Sequence, residues 1–331
     1  MNSNFISQLS CIDQINPLET ETGPSPEKAE MNDLWLGGAT DGKYTGPIRI
    51  VLSYCKGDLA WLSAFILGFG VQSITVVSKC GVSPPTNLPI KDKEFIDLPN
   101  AGRNDHTIAY SMAKISAEES DDDAIVLFLK DNIVVHQKAN PRSLYELLRI
   151  TAKKGFGCFQ ELRKGMSFYH QTDVLKILNM TKYGGVPHST SDGRRVWNDS
   201  KGFKSPFKNL GQWLESLDIS LPSPLTPVCY GGIFAAKQTK IKSIPKVKWE
   251  AIAKSLSRGD NIEEGHFAER TWAGLLSAPL SEEEQWSIIG KSSYVNRVAA
   301  KDGGGRLGAL GNYKLNHHPE TNRHFYQEQK M

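Results

Sequence analysis

Apolar and polar positions along the middle of the chain predict strands and helices in alternation. Ile48-Arg49-Ile50-Val51-Leu52-Ser53 follows the turn Gly46-Pro47 and reads as a strand, because β-branched and aliphatic residues run together there. A helix is expected next: Leu59, Leu62, Ile66 and Phe69 recur at helical spacing, with Asp58 as the cap and Gly70 as the stop. Ser73 to Ser78 forms a second strand before Gly81 and Pro84-Pro85, and a second helix starts near Asn104 with the stripe Ile108, Met112, Ile115. Ala124 to Leu129 is a continuous apolar run of strand length, the pattern of a central strand buried on both faces. Pro141 opens a helix carrying Leu144, Leu147, Leu148 and Ile150, and Gly157-Cys158-Phe159 is a short strand. Ile262 to Ser277 is a closing helix with Ala268, Trp272, Leu275 and Leu276 on one side. Strand-helix-strand repetition predicts an α/β fold with a single Rossmann-like sheet, mixed but mostly parallel, flanked by helices.

The pattern fades at both ends. Residues 1–46, rich in Glu, Pro, Ser, Thr and Asn, read as a mostly disordered tail. Residues 47–280 form the α/β domain, and 281–331 a C-terminal extension that is flexible from about residue 303. Within the domain, residues 180–227 are dense in Gly, Pro, Ser, Asn and Trp, with an amphipathic piece near Leu210 to Leu217; they read as a functional insert or lid. The 331 residues include 39 Lys and Arg against 36 Asp and Glu, and a net charge of +3 is too small to announce nucleic acid as a partner. No membrane span is expected, since the longest greasy stretch, Leu59 to Val71, is broken by Ser63, Gly68 and Gly70. Met1-Asn2-Ser3-Asn4 shows no basic start to a secretory signal, so a cytoplasmic address is expected. The cysteines Cys11, Cys55, Cys80, Cys158 and Cys229 are odd in number and contain no Cys-x-x-Cys, which argues for small core thiols over disulfides or zinc. Asn179-Met180-Thr181 and Asn198-Asp199-Ser200 are read as chance glycosylation triplets.

Familiar catalytic signatures fail on context. Gly303-x-Gly305-x-x-Gly308 follows no buried strand, Gly290-Lys291-Ser292 lacks the first glycine of a phosphate loop, and neither Gly-x-Ser-x-Gly nor His-Glu-x-x-His occurs. Attention therefore falls on polar residues at the carboxyl ends of strands, where open α/β sheets bind ligands. These are Ser53, Tyr54, Lys56 and Asp58; the segment Asn100-Ala101-Gly102-Arg103-Asn104-Asp105-His106; and Lys130, Asp131 and Asn132. The closing helix adds Glu263, Glu264, His266, Glu269 and Arg270. Gly102 and Arg103 at a helix start suit a diphosphate, although a cap with a surface arginine explains them equally well. Asp131 has the oxygen chemistry of a metal ligand, or simply ends a strand. His106 and Tyr110 share a face in a spacing that serves packing as well as binding. Glu263 and Glu264 suit a base, a metal ligand or a helix dipole; Glu269 and Arg270 suit catalysis or a structural ion pair.

Four ordered blocks resemble the family termed domain of unknown function 3431, over roughly residues 48–280. They are Val51 to Leu62, Leu98 to Thr107, Cys229-Tyr230-Gly231-Gly232-Ile233-Phe234 and Glu264 to Trp272. That family in turn looks like a distant version of the GT-A nucleotide-sugar glycosyltransferases. The resemblance implies a GT-A-like sheet, a nucleotide-sugar donor and an unknown acceptor. It places the nucleotide and diphosphate at Ser53, Asp58, Asn100, Gly102, Arg103 and Lys130, and a catalytic carboxylate at Glu264 or Glu269. His106, Gly232, His266 and Arg270 would lie at the acceptor or support the site. It also implies Mn or Mg after the central strand, where such enzymes carry Asp-x-Asp; this chain has Lys130-Asp131-Asn132, so Asp131 is the one metal ligand, or Lys130 neutralises phosphate itself. A non-catalytic glycan- or protein-binding module on the same sheet is the alternative reading.

Overall fold

The computed structural model describes residues 44–119, 123–133, 144–159, 162–163, 166–167, 169–180, 187–189, 195–197 and 203–291. The expected N-terminal tail before Tyr44, the loose end from 303 and Cys11 lie outside them. Six strands make the main sheet: β1 (Ile48–Tyr54), β2 (Val71–Ser78), β3 (Asp92–Asp97), β4 (Ile125–Lys130), β5 (Phe156–Cys158) and a late strand, Phe234–Lys237. The order is β3-β2-β1-β4, then Phe234–Lys237, then β5. The first four strands run parallel; Phe234–Lys237 is antiparallel to both neighbours. This is the mixed, mostly parallel α/β sheet that the sequence implies.

Alternation along β4 explains why it is central. Val126 and Phe128 enter one core, Ile125, Leu127 and Leu129 the other, so every residue but the last is buried. On the second face lie α1 (Ala60–Phe69), with Trp61, Leu62, Phe65 and Ile66, and α3 (Leu144–Lys154), with Leu144, Leu147 and Leu148. The first face carries α2 (Arg103–Ser116) and helices from later in the chain.

Between α3 and those helices come the small pairs β6 (Leu162–Arg163) with β7 (Met166–Ser167), and β9 (Pro187–Ser189) with β10 (Arg195–Trp197). They are accompanied by β8 (Tyr169–Asp173), α4 (Val174–Leu178), α5 (Leu210–Ser216) and β11 (Leu225–Cys229), which pairs with β8. Phe234–Lys237 is then β12, followed by α6 (Gln238–Lys242), α7 (Lys246–Leu256), α8 (Glu263–Leu276) and α9 (Glu282–Lys291). Trp213 of α5, Trp249 of α7 and Trp272 of α8 are all fully buried in one core. Residues 203–227 of the expected insert, 180–227, therefore pack into the fold and do not form a lid. Phe203, Leu210, Trp213 and Leu214 are core residues, and Leu225 to Cys229 is a buried strand.

The cysteines also depart from expectation. Cys55 pairs with Cys80 and Cys158 with Cys229 as disulfides. Cys55 and Cys80, 25 residues apart, meet because each follows one of the parallel neighbours β1 and β2, and Cys158 and Cys229, 71 apart, meet across two different sheets; the linear spacing shows neither. Lasting disulfides belong to oxidising compartments, so the cysteines lend the expected cytoplasmic address no support. Among the described residues, no helix is long and apolar enough to cross a membrane.

Candidate functional site

From β1 the chain winds outward to β2 and β3, then returns through α2 to β4 on the other flank of β1. The direction of winding reverses between β1 and β4, and a crevice opens beyond the carboxyl ends of two such strands. Four segments meet there. They are the loop after β1, the start of α2, the end of β4, and Gly231-Gly232, which antiparallel β12 delivers to the same edge.

The loop after β1 is fixed by Asp131. Its Oδ2 accepts the backbone N–H groups of Cys55, Lys56 and Gly57 at 2.9, 3.0 and 2.7 Å. A Cβ on Gly57 would lie 2.8 Å from the Asp131 side chain, so glycine is what lets the loop close on the carboxylate. Ser53 Oγ meets Thr107 Oγ1 of α2 at 3.3 Å; Leu59, not the expected Asp58, stands at the N-cap of α1, and Asp58 Oδ1 accepts the Ala60 N–H at 2.9 Å from one residue before it.

At the start of α2, two consecutive residues hold positive φ: Gly102 at 57° and Arg103 at 47°. A glycine is required at 102, because its N–H donates to Gly259 O at 2.6 Å and a Cβ would lie 2.4 Å from Leu256 O. Arg103 has no such exemption, and left-handed backbone in a residue with a side chain costs about 1–2 kcal/mol. Lys79, buried just past β2, holds that backbone: its Nζ donates to Arg103 O at 2.9 Å and to Ala101 O. The Arg103 side chain is left exposed at the crevice, whereas Asn100 is exposed without a described polar partner. Burial lowers the Lys79 pKa to about 8, against the pull of Asp260 and Asp105. His106 packs at 3.3 Å from Lys79 Nζ, and burial with that neighbouring charge pushes its pKa down to about 4. It is a neutral wall of the loop.

Facing Arg103 is a pair of carboxyl groups. Asp105 Oδ1 accepts from Trp272 Nε1 at 2.7 Å, and Glu269 Oε1 accepts the Gly231 N–H at 2.8 Å. Burial pushes the Asp105 pKa up to about 7, the Glu269 charge adds to the rise, and Lys130 and Arg103 oppose it. Burial likewise raises Glu269. Lys130 comes in from β4: a Cβ on Gly232 would stand 3.4 Å from its Nζ and 2.7 Å from Asn104 Nδ2, which donates to Gly232 O. Among the described residues, the Lys130 and Arg103 side chains make no hydrogen bond or ion pair, yet both act electrostatically on Asp105 and Glu269. Arg270 supports this wall, stacking 4.8 Å above the Tyr230 ring and donating to His266 O and Glu269 Oε2. His266 is held near pKa 4 by burial and by Arg103.

The closing helix thus separates its two catalytic candidates. Glu264, with 2% of its side chain exposed, is gripped by Arg258 at 2.7 and 3.2 Å and acts as a structural anion. Glu269 keeps 22% exposed and faces the crevice. Ser53, Gly102, Arg103, Lys130, Asp131, Gly232, Glu269 and Arg270 are brought to one edge. Sequence reasoning gave Asp105 no role of its own within the segment 100–106, and gave none to Lys79, Tyr230 or Trp272. Lys79 stands directly after a strand and falls under the same strand-end rule that selected Lys130; Asp105 is marked only by its burial, which is a tertiary property.

No family model matches the chain. The protein is similar to Rho guanine nucleotide exchange factor 8 of Arabidopsis thaliana, at 22% identity over 234 residues; the match covers 67% of this chain and 42% of the relative. The chain thus spans less than half the length of the relative it matches.

Proposed function

We propose that this protein binds a nucleotide sugar in the crevice beyond β1 and β4 and transfers the sugar to an acceptor. The observation that carries this reading is the meeting of two cations unpaired among the described residues, Arg103 and Lys130, with the carboxyl pair Asp105 and Glu269. Transfer breaks the bond between sugar and diphosphate, and negative charge builds on the departing phosphate. Arg103, Lys130 and the N–H groups at the start of α2 stabilise that charge. An acceptor hydroxyl loses its proton as it attacks, and Glu269 takes it. A carboxylate whose pKa is raised by burial is a better base near neutral pH than an ordinary one. The Glu269 charge raises Asp105, so the two groups do not readily ionise together and Asp105 holds the proton between them. Gly232 lets backbone approach where a side chain would fill the space beside Lys130.

The test is release of nucleoside diphosphate from a panel of nucleotide sugars, followed by chromatography, for the full chain and for Glu269→Gln. The reading expects release with at least one donor and a loss of about 10²–10⁴-fold in Glu269→Gln. Absence of release across the panel overturns transfer. Donor binding without release, unchanged in Glu269→Gln, instead supports the non-catalytic module.

A further inference from the structure

The likeness to GT-A enzymes implies a divalent cation after the central strand, and the residues at that place do not fit one. Asp131 Oδ2 is taken up by three N–H donors, which leaves a cation at most the single oxygen Oδ1 of this carboxylate. Magnesium and manganese favour six oxygen-rich positions with carboxylates among them. Among the described residues, no group of three or more His, Cys, Asp or Glu is placed to hold a metal ion. The residue before Asp131 is moreover a cation. Lys130 Nζ lies beside the space over Gly232, on the crevice side, where it already offsets the charge of Asp105 and Glu269.

We infer that the protein holds its donor's diphosphate without a metal ion, Lys130 and Arg103 supplying the two positive charges that a divalent cation would bring. This rests on the nucleotide-sugar reading above. Lys130 is a compact point charge on a flexible stem, and Arg103 a planar fork that grips two phosphate oxygens at once. The built geometry favours this division. Lys79 holds the Arg103 backbone in a left-handed turn, which fixes where the fork starts, and Asn104 ties the same turn to Gly232 beside Lys130. The backbone that carries Arg103 and the Gly232 turn beside Lys130 are thereby fixed before any ligand arrives, and that lowers the ordering cost of binding. Asp131 serves the same end from the other side, since it shapes the loop after β1 with the charge that would otherwise hold a metal.

Calorimetric titration of the full chain with UDP, GDP, ADP and CDP tests the inference, each run in excess EDTA and again with saturating manganese. The expected result is binding of at least one nucleotide in EDTA, with a Kd that manganese changes by less than about threefold. Lys130→Ala is expected to weaken binding about ten- to a hundredfold, and Lys130→Arg to restore much of the loss. Circular dichroism of each variant verifies folding, and Lys130→Arg guards against loss by misfolding. Binding that appears only with manganese overturns the inference and leaves the nucleotide reading intact. Binding that is indifferent to Lys130→Ala also overturns it. No binding in either condition overturns both.

Discussion

Asp131→Asn is the perturbation that separates a structural carboxylate from a metal ligand. The amide keeps an oxygen of nearly the same position and removes the charge. In the native protein that oxygen accepts three backbone N–H groups, from Cys55, Lys56 and Gly57. A hydrogen bond to a charged partner contributes roughly 1.5–3 kcal/mol net and a neutral one roughly 0.5–1.5 kcal/mol, so each bond weakens by about 1 kcal/mol. Three bonds to one atom share their loss, which leaves a destabilisation of about 2–3 kcal/mol. For a domain of this size that is a fall in Tm of about 5–10 °C. Differential scanning fluorimetry of the full chain in EDTA reads it directly, and added manganese should change neither the wild type nor the variant. Asp131→Ala should fall further, because the Cys55 and Gly57 donors are partly buried and water reaches them poorly. A Tm for Asp131→Asn within about 1 °C of wild type in EDTA would refute the argument, since bonds that strong cannot vanish unnoticed.

Other outcomes follow from the same geometry. Asp105 binds its proton more tightly in the folded chain than in the unfolded one, so its contribution to stability is present below about pH 4 and is lost as pH rises towards 7. Asp105→Asn keeps an acceptor for Trp272 Nε1 and removes that slope; urea denaturation at pH 5 and 8 should show the variant gaining on wild type by up to a few kcal/mol at pH 8, and parallel curves would contradict the assignment. Gly102→Ala sets a Cβ 2.4 Å from Leu256 O at a positive φ, and should cost about 2–4 kcal/mol or prevent folding, measured by chemical denaturation. Alkylation of the denatured, unreduced protein should spare Cys55, Cys80, Cys158 and Cys229, and full labelling would return them to the free thiols that the sequence suggested. Opening the 71-residue loop with Cys229→Ser should cost about 4 kcal/mol under non-reducing conditions.

What the sequence made legible was whatever depends on neighbours along the chain. The Ala124 to Leu129 run identifies the central strand because burial on both faces needs an unbroken apolar segment, and β4 occupies Ile125–Lys130. Gly102 and Arg103 stood out because a glycine at a helix start is a local conformational demand. β3 left no such mark. Asp92-Lys93-Glu94-Phe95-Ile96-Asp97 is an exposed edge strand whose charges suit an edge and obscure the strand. Glu264 and Glu269 look alike in sequence, and the difference lies in Arg258, which reaches Glu264 from the turn after α7. Asp131 was legible as a strand-end carboxylate, yet its duty is set by a loop some 75 residues earlier that parallel pairing of β1 with β4 brings alongside. Residues 180–227 read as a lid because Gly, Pro, Ser, Asn and Trp are dense across them, whereas Phe203, Leu210, Trp213 and Leu214 within that span are buried in the core.

The central claim is that an anionic donor binds beyond β1 and β4 between Arg103 and Lys130, and a crystal structure of the full chain with a bound nucleoside diphosphate tests it most directly. The account predicts phosphate oxygens within hydrogen-bond reach of the Arg103 guanidinium and Lys130 Nζ, with Glu269 open towards the acceptor side and Asp131 still bonded to the loop after β1. A nucleotide seated elsewhere, or phosphates that touch neither cation, would contradict it.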